Sequence, residues 1–269
     1  MLEHFKRGIF FGLVLTTYTL SLLLSGCGTT SYNVATQRQE TLFIGTEREV
    51  AIGEAVAKRV EKEFSIVRDP EMLRRLDQVG ELLAAAADRK DLIYHFAIVE
   101  EKEPNAFALP GGFIYTTTGL MELAQSDDEL AAVLGHEMGH VVAKHTVKRM
   151  QGAIGLQLLQ VIALGSGARD AQTQQGIDLA FASLMMSYSQ QDELEADRLS
   201  VKYLKHTGYR PDAAIDFLER LRDYTQKQPL RRFSYFRSHP FFADRIRIVR
   251  QEAQGQITFD DYINVQNSH

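Results

Sequence analysis

Cysteine is nearly absent from this chain of 269 residues: Cys27 stands alone, so no internal disulfide can staple the fold. A basic excess is lacking as well. Lysine and arginine number 30 against 35 aspartates and glutamates, for a formal net charge of -5. Such a chain has little with which to neutralise phosphates, which argues against a nucleic-acid partner. No tandem repeat is visible. Long apolar runs are missing too: the N-terminal run and the one from Gly152 to Gly165 both fall short of the roughly 20 residues of a spanning helix. What is present is a globular balance, 45% hydrophobic and 24% charged, enough to bury a sizeable core.

The N-terminus has the marks of an export signal. Lys6 and Arg7 precede an apolar stretch from Ile9 to Leu24, and small residues follow. Leu24, Ser25 and Gly26 before Cys27 resemble a bacterial lipobox, in which the peptide is cut ahead of a cysteine whose thiol is lipidated. That gives the lone Cys27 a purpose. The expected organisation is a signal peptide over 1–26, a flexible tether over 27–40 rich in Thr, Ser, Gln and Asn, and one folded domain over 41–269. Gly28, not aspartate, follows the cysteine; under the enteric sorting rule this means the outer membrane, with the domain facing the periplasm.

Periodicity and caps predict a mostly helical domain with a small sheet. Helices are expected from Glu47 to Phe64 and after Asp69-Pro70, where a cap precedes a first-turn proline. Tyr94 to Glu100 and Phe113 to Thr117 read as strands, and a short helix follows to Ala124. Ser126 and the acidic residues after it start a helix expected to run unbroken to about Met150. The apolar run after Gly152 reads either as core or as a cover over a cleft. Further helices are expected over Asp178 to Ser187, Gln191 to His206, after Pro211 and after Pro240.

The long central helix carries "HEMGH". His136 and His140 are four residues apart and so project from one helix face, where two imidazoles can share an ion. Imidazole and carboxylate suit zinc, and catalytic zinc sites use three protein ligands. Glu137 would lie beside the ion rather than on it, placed to take a proton from an attacking water. Gly135 and Gly139 cost helix propensity, which a close approach to another backbone would explain. On an unbroken helix His145 falls off the His140 face and reads as a surface residue or one behind the ligands. The third ligand is sought in "SQQDELEADRLSVKYL". Glu193 and Asp197 share a face there, while Glu195 is about 200 degrees round from Glu193. A carboxylate pair at that spacing is repulsive unless a cation lies beside it. The segment alone also fits a solvated acidic face.

Four stretches, "NAFALPGGFIYTTTGL", "ELAAVLGHEMGHVVAKH", "SYSQQDELEADRLSVKYL" and "SHPFFADRI", together resemble the M48 family of zinc metallopeptidases in order and spacing, over about Thr41 to Ile248. The resemblance implies an α+β, predominantly helical, zincin-like (gluzincin) domain with a small sheet beside the active-site helix. It implies one zinc ion per chain on His136, His140 and Glu193, with Glu137 as base, Asp197 and Arg245 behind the ligands, and His239 as oxyanion donor. Gln190 stands where many members have a basic residue. The expected function is a lipid-anchored zinc endopeptidase acting on unfolded or misassembled envelope proteins. Its rival is an assembly factor or holdase whose metal site is latent or structural.

Overall fold

The computed structural model describes residues 29–33, 38–42, 44–164, 171–228, 231 and 233–255. The expected signal peptide, the lipidation residue Cys27 and the Gly-rich break at 165–170 lie outside the described residues.

The first described residues form two short strands, β1 (Thr29–Asn33) and β2 (Arg38–Leu42), paired antiparallel. Helix α1 (Thr46–Glu63) and helix α2 (Pro70–Ala86) follow. Asp69 caps α2 by accepting from the amides of Glu71 and Met72, the start that Asp-Pro predicts. Then come β3 (His95–Val99), β4 (Ala106–Ala108), a tight turn over Pro110–Gly112, and β5 (Phe113–Thr117). The sheet order is β3-β5-β4, with β3 parallel and β4 antiparallel to β5. Strand β4 escapes the sequence reading because three residues are too few to show alternation.

The remainder is helical: α3 (Thr118–Leu123), α4 (Asp127–Val142), α5 (His145–Ile154), α6 (Leu156–Leu164), α7 (Ala171–Ser183), α8 (Gln190–Thr207), α9 (Ala213–Lys227), α10 (Tyr235–Ser238) and α11 (Phe242–Ala253). The helix expected to reach Met150 ends instead at Val142. Lys144 takes left-handed backbone angles (φ 58°, ψ 24°), and α5 starts afresh at His145. Among the described residues no helix is long and apolar enough to cross a membrane.

Two hydrophobic clusters sandwich the sheet. Ile98, Ala106, Ala108 and Ile114 join the cluster of α2, α4, α8, α9 and α11. Their strand neighbours Val99, Phe107 and Tyr115 join the cluster of α1, α5, α6 and α7. This is the two-residue alternation of a strand with both faces covered. Leu159 and Ile162 of α6 are fully buried in the second cluster, so the apolar run after Gly152 serves as core on that face.

A buried ionic knot ties α1 to the strands. Glu49, fully buried, accepts from Arg89 Nη1 at 2.8 and 2.9 Å and from the Gly111 amide at 3.3 Å. Arg89 also reaches Asp91 at 2.9 Å, and Lys144 Nζ lies 3.8 Å from Glu49. A buried carboxylate without such partners would be costly.

Candidate metal centre

Helix α4 is buried from Glu129 to Val142, so it runs through the core rather than over it. Ser126 accepts from the Glu129 amide at 3.2 Å, and three acidic residues fill the first turn. Its glycines face α8. A Cβ on Gly139 would sit 2.9 Å from the Ala196 backbone, and one on Gly135 would sit 3.1 Å from Ser200 Oγ. Bare glycine there lets the two helices approach closely enough for side chains of α8 to reach those of α4. Ser189 and Asp192 form a capping box that fixes the start of α8 just ahead of Glu193.

This seam brings His136, His140 and Glu193 together, and α10 ends by adding His239; all four are buried. The two Nε2 atoms are 3.0 Å apart, and each lies 3.5 Å from a Glu193 oxygen. A tetrahedral ion with ligand bonds of about 2.0–2.2 Å needs donors roughly 3.3–3.5 Å apart. The donor chemistry agrees. His136 Nδ1 is engaged by Asp197 Oδ1 at 2.8 Å and His140 Nδ1 by His145 at 3.0 Å, so Nε2 is the free end of each ring. Two such nitrogens facing each other and a carboxylate need a cation or a proton between them. Burial and Arg245 push the His136 imidazole down, but Asp197 and Glu193 outweigh them and leave it raised to about 9, while burial holds His140 well below its ordinary value. A cation seated among these atoms would supply the charge the group lacks. The residues therefore fit a bound metal.

Arg245 supplies the cation that the paired carboxylates of α8 require. Its Nε and Nη2 donate to the two Asp197 oxygens at 2.8 and 2.7 Å, and Nη1 is 2.7 Å from Glu193 Oε2. Burial raises both carboxyls, yet Arg245 and the neighbouring histidines hold them below the usual range, Glu193 well below. Glu137 is fully buried with neither oxygen hydrogen-bonded, and its Oε1 is 3.3 Å from His239 Nε2. The other nitrogen of His239 is 3.3 Å from His136 Nε2 and 3.0 Å from Glu193 Oε1. Its ring thus stands within the donor group.

The sequence reading left His145 between the surface and a place behind the ligands, and it missed Tyr188. His145 takes the second place: it is 2% exposed and touches His140 directly. Tyr188 stacks on the His140 ring with centroids 3.7 Å apart. The short spacing from His140 to His145 was the available signal for the first; the aromatic directly before the α8 cap was the signal for the second.

Comparison with known proteins agrees with this geometry. The sequence model described as peptidase family M48 matches residues 70–253. The chain is 28% identical over 240 residues to the beta-barrel assembly-enhancing protease of Escherichia coli K12, covering 82% of this chain and 46% of that protein. It is 34% identical over 159 residues to metalloprotease LoiP of the same organism, covering 58% of this chain and 61% of LoiP. To the mitochondrial metalloendopeptidase OMA1 of Schizosaccharomyces pombe it is 27% identical over 176 residues, covering 65% and 51%. The chain spans about half the length of the first of these. With the family model matching well over half its length, this chain belongs to peptidase family M48.

Proposed function

We propose that the protein is a zinc-dependent endopeptidase, held by a lipid on Cys27 in the bacterial outer membrane and facing the periplasm, that cleaves unfolded or misassembled envelope proteins. The observation that carries the enzymatic part is Glu137, a fully buried carboxylate with no hydrogen-bond partner, set beside the donor group. A structural metal has no use for such a group. Zinc on His136, His140 and Glu193 would supply a Lewis acid and an activated water. Glu137 then takes the proton of the attacking water and passes it to the leaving amine. Asp197 holds the His136 ring through its Nδ1 proton, and Arg245 keeps Asp197 and Glu193 ionised. The names of two relatives, a beta-barrel assembly-enhancing protease and a metalloprotease, support protein substrates.

The position of His239 favours a second reading of the resting state. Its ring contacts a ligand oxygen with one nitrogen and the base with the other. A ring in that pose would stand in the way of a carbonyl approaching the donor group, which is a shut site until His239 is displaced. Once displaced, the same ring is available as an oxyanion donor. This is the form in which the assembly-factor function fits, as binding with the site closed.

The test follows cleavage of an unfolded protein by the zinc-loaded full-length chain, by Glu137→Gln and by His239→Ala. Cleavage by the native protein and none by Glu137→Gln supports the hydrolase. Faster cleavage by His239→Ala identifies the shut state; slower cleavage identifies the oxyanion role. No cleavage by any form with zinc bound one per chain overturns the peptidase reading.

A further inference from the structure

His145 has no part in the chemistry just described, yet it is buried against a metal ligand. On an unbroken helix it would sit about 140 degrees round from His140. The left-handed turn at Lys144 redirects the chain, and His145 at the first position of α5 points back to His140. The two Nδ1 atoms are 3.0 Å apart. The far nitrogen of His145, Nε2, lies 3.3 Å from Asp192 Oδ1 and 3.5 Å from Glu195 Oε2. One turn along α5, Arg149 lies 3.9 Å over the Tyr188 ring that stacks on His140.

The proton positions in this chain of contacts follow from one requirement. If His140 Nε2 is to offer a lone pair to a metal, its proton must be on Nδ1. A hydrogen bond between two Nδ1 atoms has room for one proton, so His145 Nδ1 must be the acceptor. His145 then carries its own proton on Nε2, where Asp192 and Glu195 can accept it. His136 Nδ1 meets a carboxylate directly, in Asp197, whereas His140 Nδ1 meets a second imidazole whose far nitrogen faces the carboxylates.

We propose that His145 is a positioning residue for the metal site: it fixes the tautomer and ring orientation of His140, relaying the carboxylates of Asp192 and Glu195. The proposal rests on the reading of His136, His140 and Glu193 as the ligand set. Tyr188, backed by Arg149, holds the face of the same ring, so α5 secures His140 from two directions.

The test compares His145→Asn with His145→Gln in the full-length protein. Asparagine can place its carbonyl oxygen where Nδ1 lies and keep the acceptor for His140. Glutamine reaches toward the position of Nε2 and offers nothing at Nδ1. Zinc affinity is measured by competition with a chelator. The expected result is a loss of about 10–100-fold for the glutamine variant, with the asparagine variant within about threefold of native. Equal losses, or no loss in either, overturn the proposal. Imidazole nitrogen NMR of the zinc-loaded native protein is the second readout and needs no variant to fold. A proton on His140 Nδ1 facing an unprotonated His145 Nδ1 is expected; a proton on His145 Nδ1 overturns the relay. Failure of the native protein to bind zinc at all removes the ligand reading itself, and is distinct from failure of the relay.

Discussion

At the scale of single residues, the site is a problem in charge placement. Glu193 and Asp197 sit one turn apart with no solvent to separate them, and Arg245 is the cation that makes the pair tolerable. Replacing it by methionine leaves two buried carboxylates facing each other. In the metal-free protein, urea unfolding of Arg245→Met should show a loss of about 3 to 5 kcal/mol. Zinc should raise its melting temperature more than it raises that of the native protein, because the ion then supplies the missing positive charge. A second test lies away from the site. Hydrogen bonding from Arg89 and then Thr46 holds Asp91 down to about 2 against its partial burial. A lowered carboxylate stabilises the fold fully above its unfolded value and loses that contribution as pH falls through the folded one. The stability difference between native protein and Asp91→Asn should be constant above about pH 5 and shrink between roughly pH 4 and pH 2. The need for a cation beside Glu193 and Asp197 was legible from their spacing. Arg245 itself was reachable only through family resemblance, since nothing local to α8 points to α11. For His145 the sequence left two places open and could not choose the one behind the ligands, because the geometry applied to it assumed a helix that does not continue.

Whole elements set how closely those residues meet. The glycines of α4 were legible as points of close approach, and the Gly139 contact with the Ala196 backbone bears that out. Gly139→Ala gains about 1 kcal/mol of helix propensity. It also pushes a methyl group into a backbone that cannot turn aside, at a cost of roughly 1–3 kcal/mol. The helices must separate, carrying Glu193 away from the imidazoles. Chelator competition should therefore show weaker zinc binding in Gly139→Ala, even where the thermal melt changes little. The end of α4 was not legible. From Val141 to Met150 no glycine or proline marks a stop, so local propensity favours continuation and tertiary contacts decide otherwise. Lys144 meets Glu49 there, His145 meets His140, and together they outweigh the strain of a left-handed lysine.

For the molecule as a whole, the helical class and the small sheet were readable from periodicity and caps, while the division of the core was not. Which cluster a strand residue joins depends on pairing across the sheet, and α1, ahead of the family match, closes the second cluster with Ile52, Val56 and Val60. The proposed anchor belongs to this scale as well. Cys27→Ser should move the protein from the membrane fraction to the soluble periplasmic fraction without changing the unfolding curve of the folded domain. One last consequence concerns time rather than place. The proposed base and the first two ligands occupy five consecutive residues, but Glu193 comes from another helix, across the close approach at Gly135 and Gly139. A nascent or unfolded chain owns two imidazoles and a loose carboxylate, nothing more. On the proposed reading, cutting power therefore belongs to the folded seam, and a chain whose α8 has not yet met α4 lacks the third ligand that the chemistry needs.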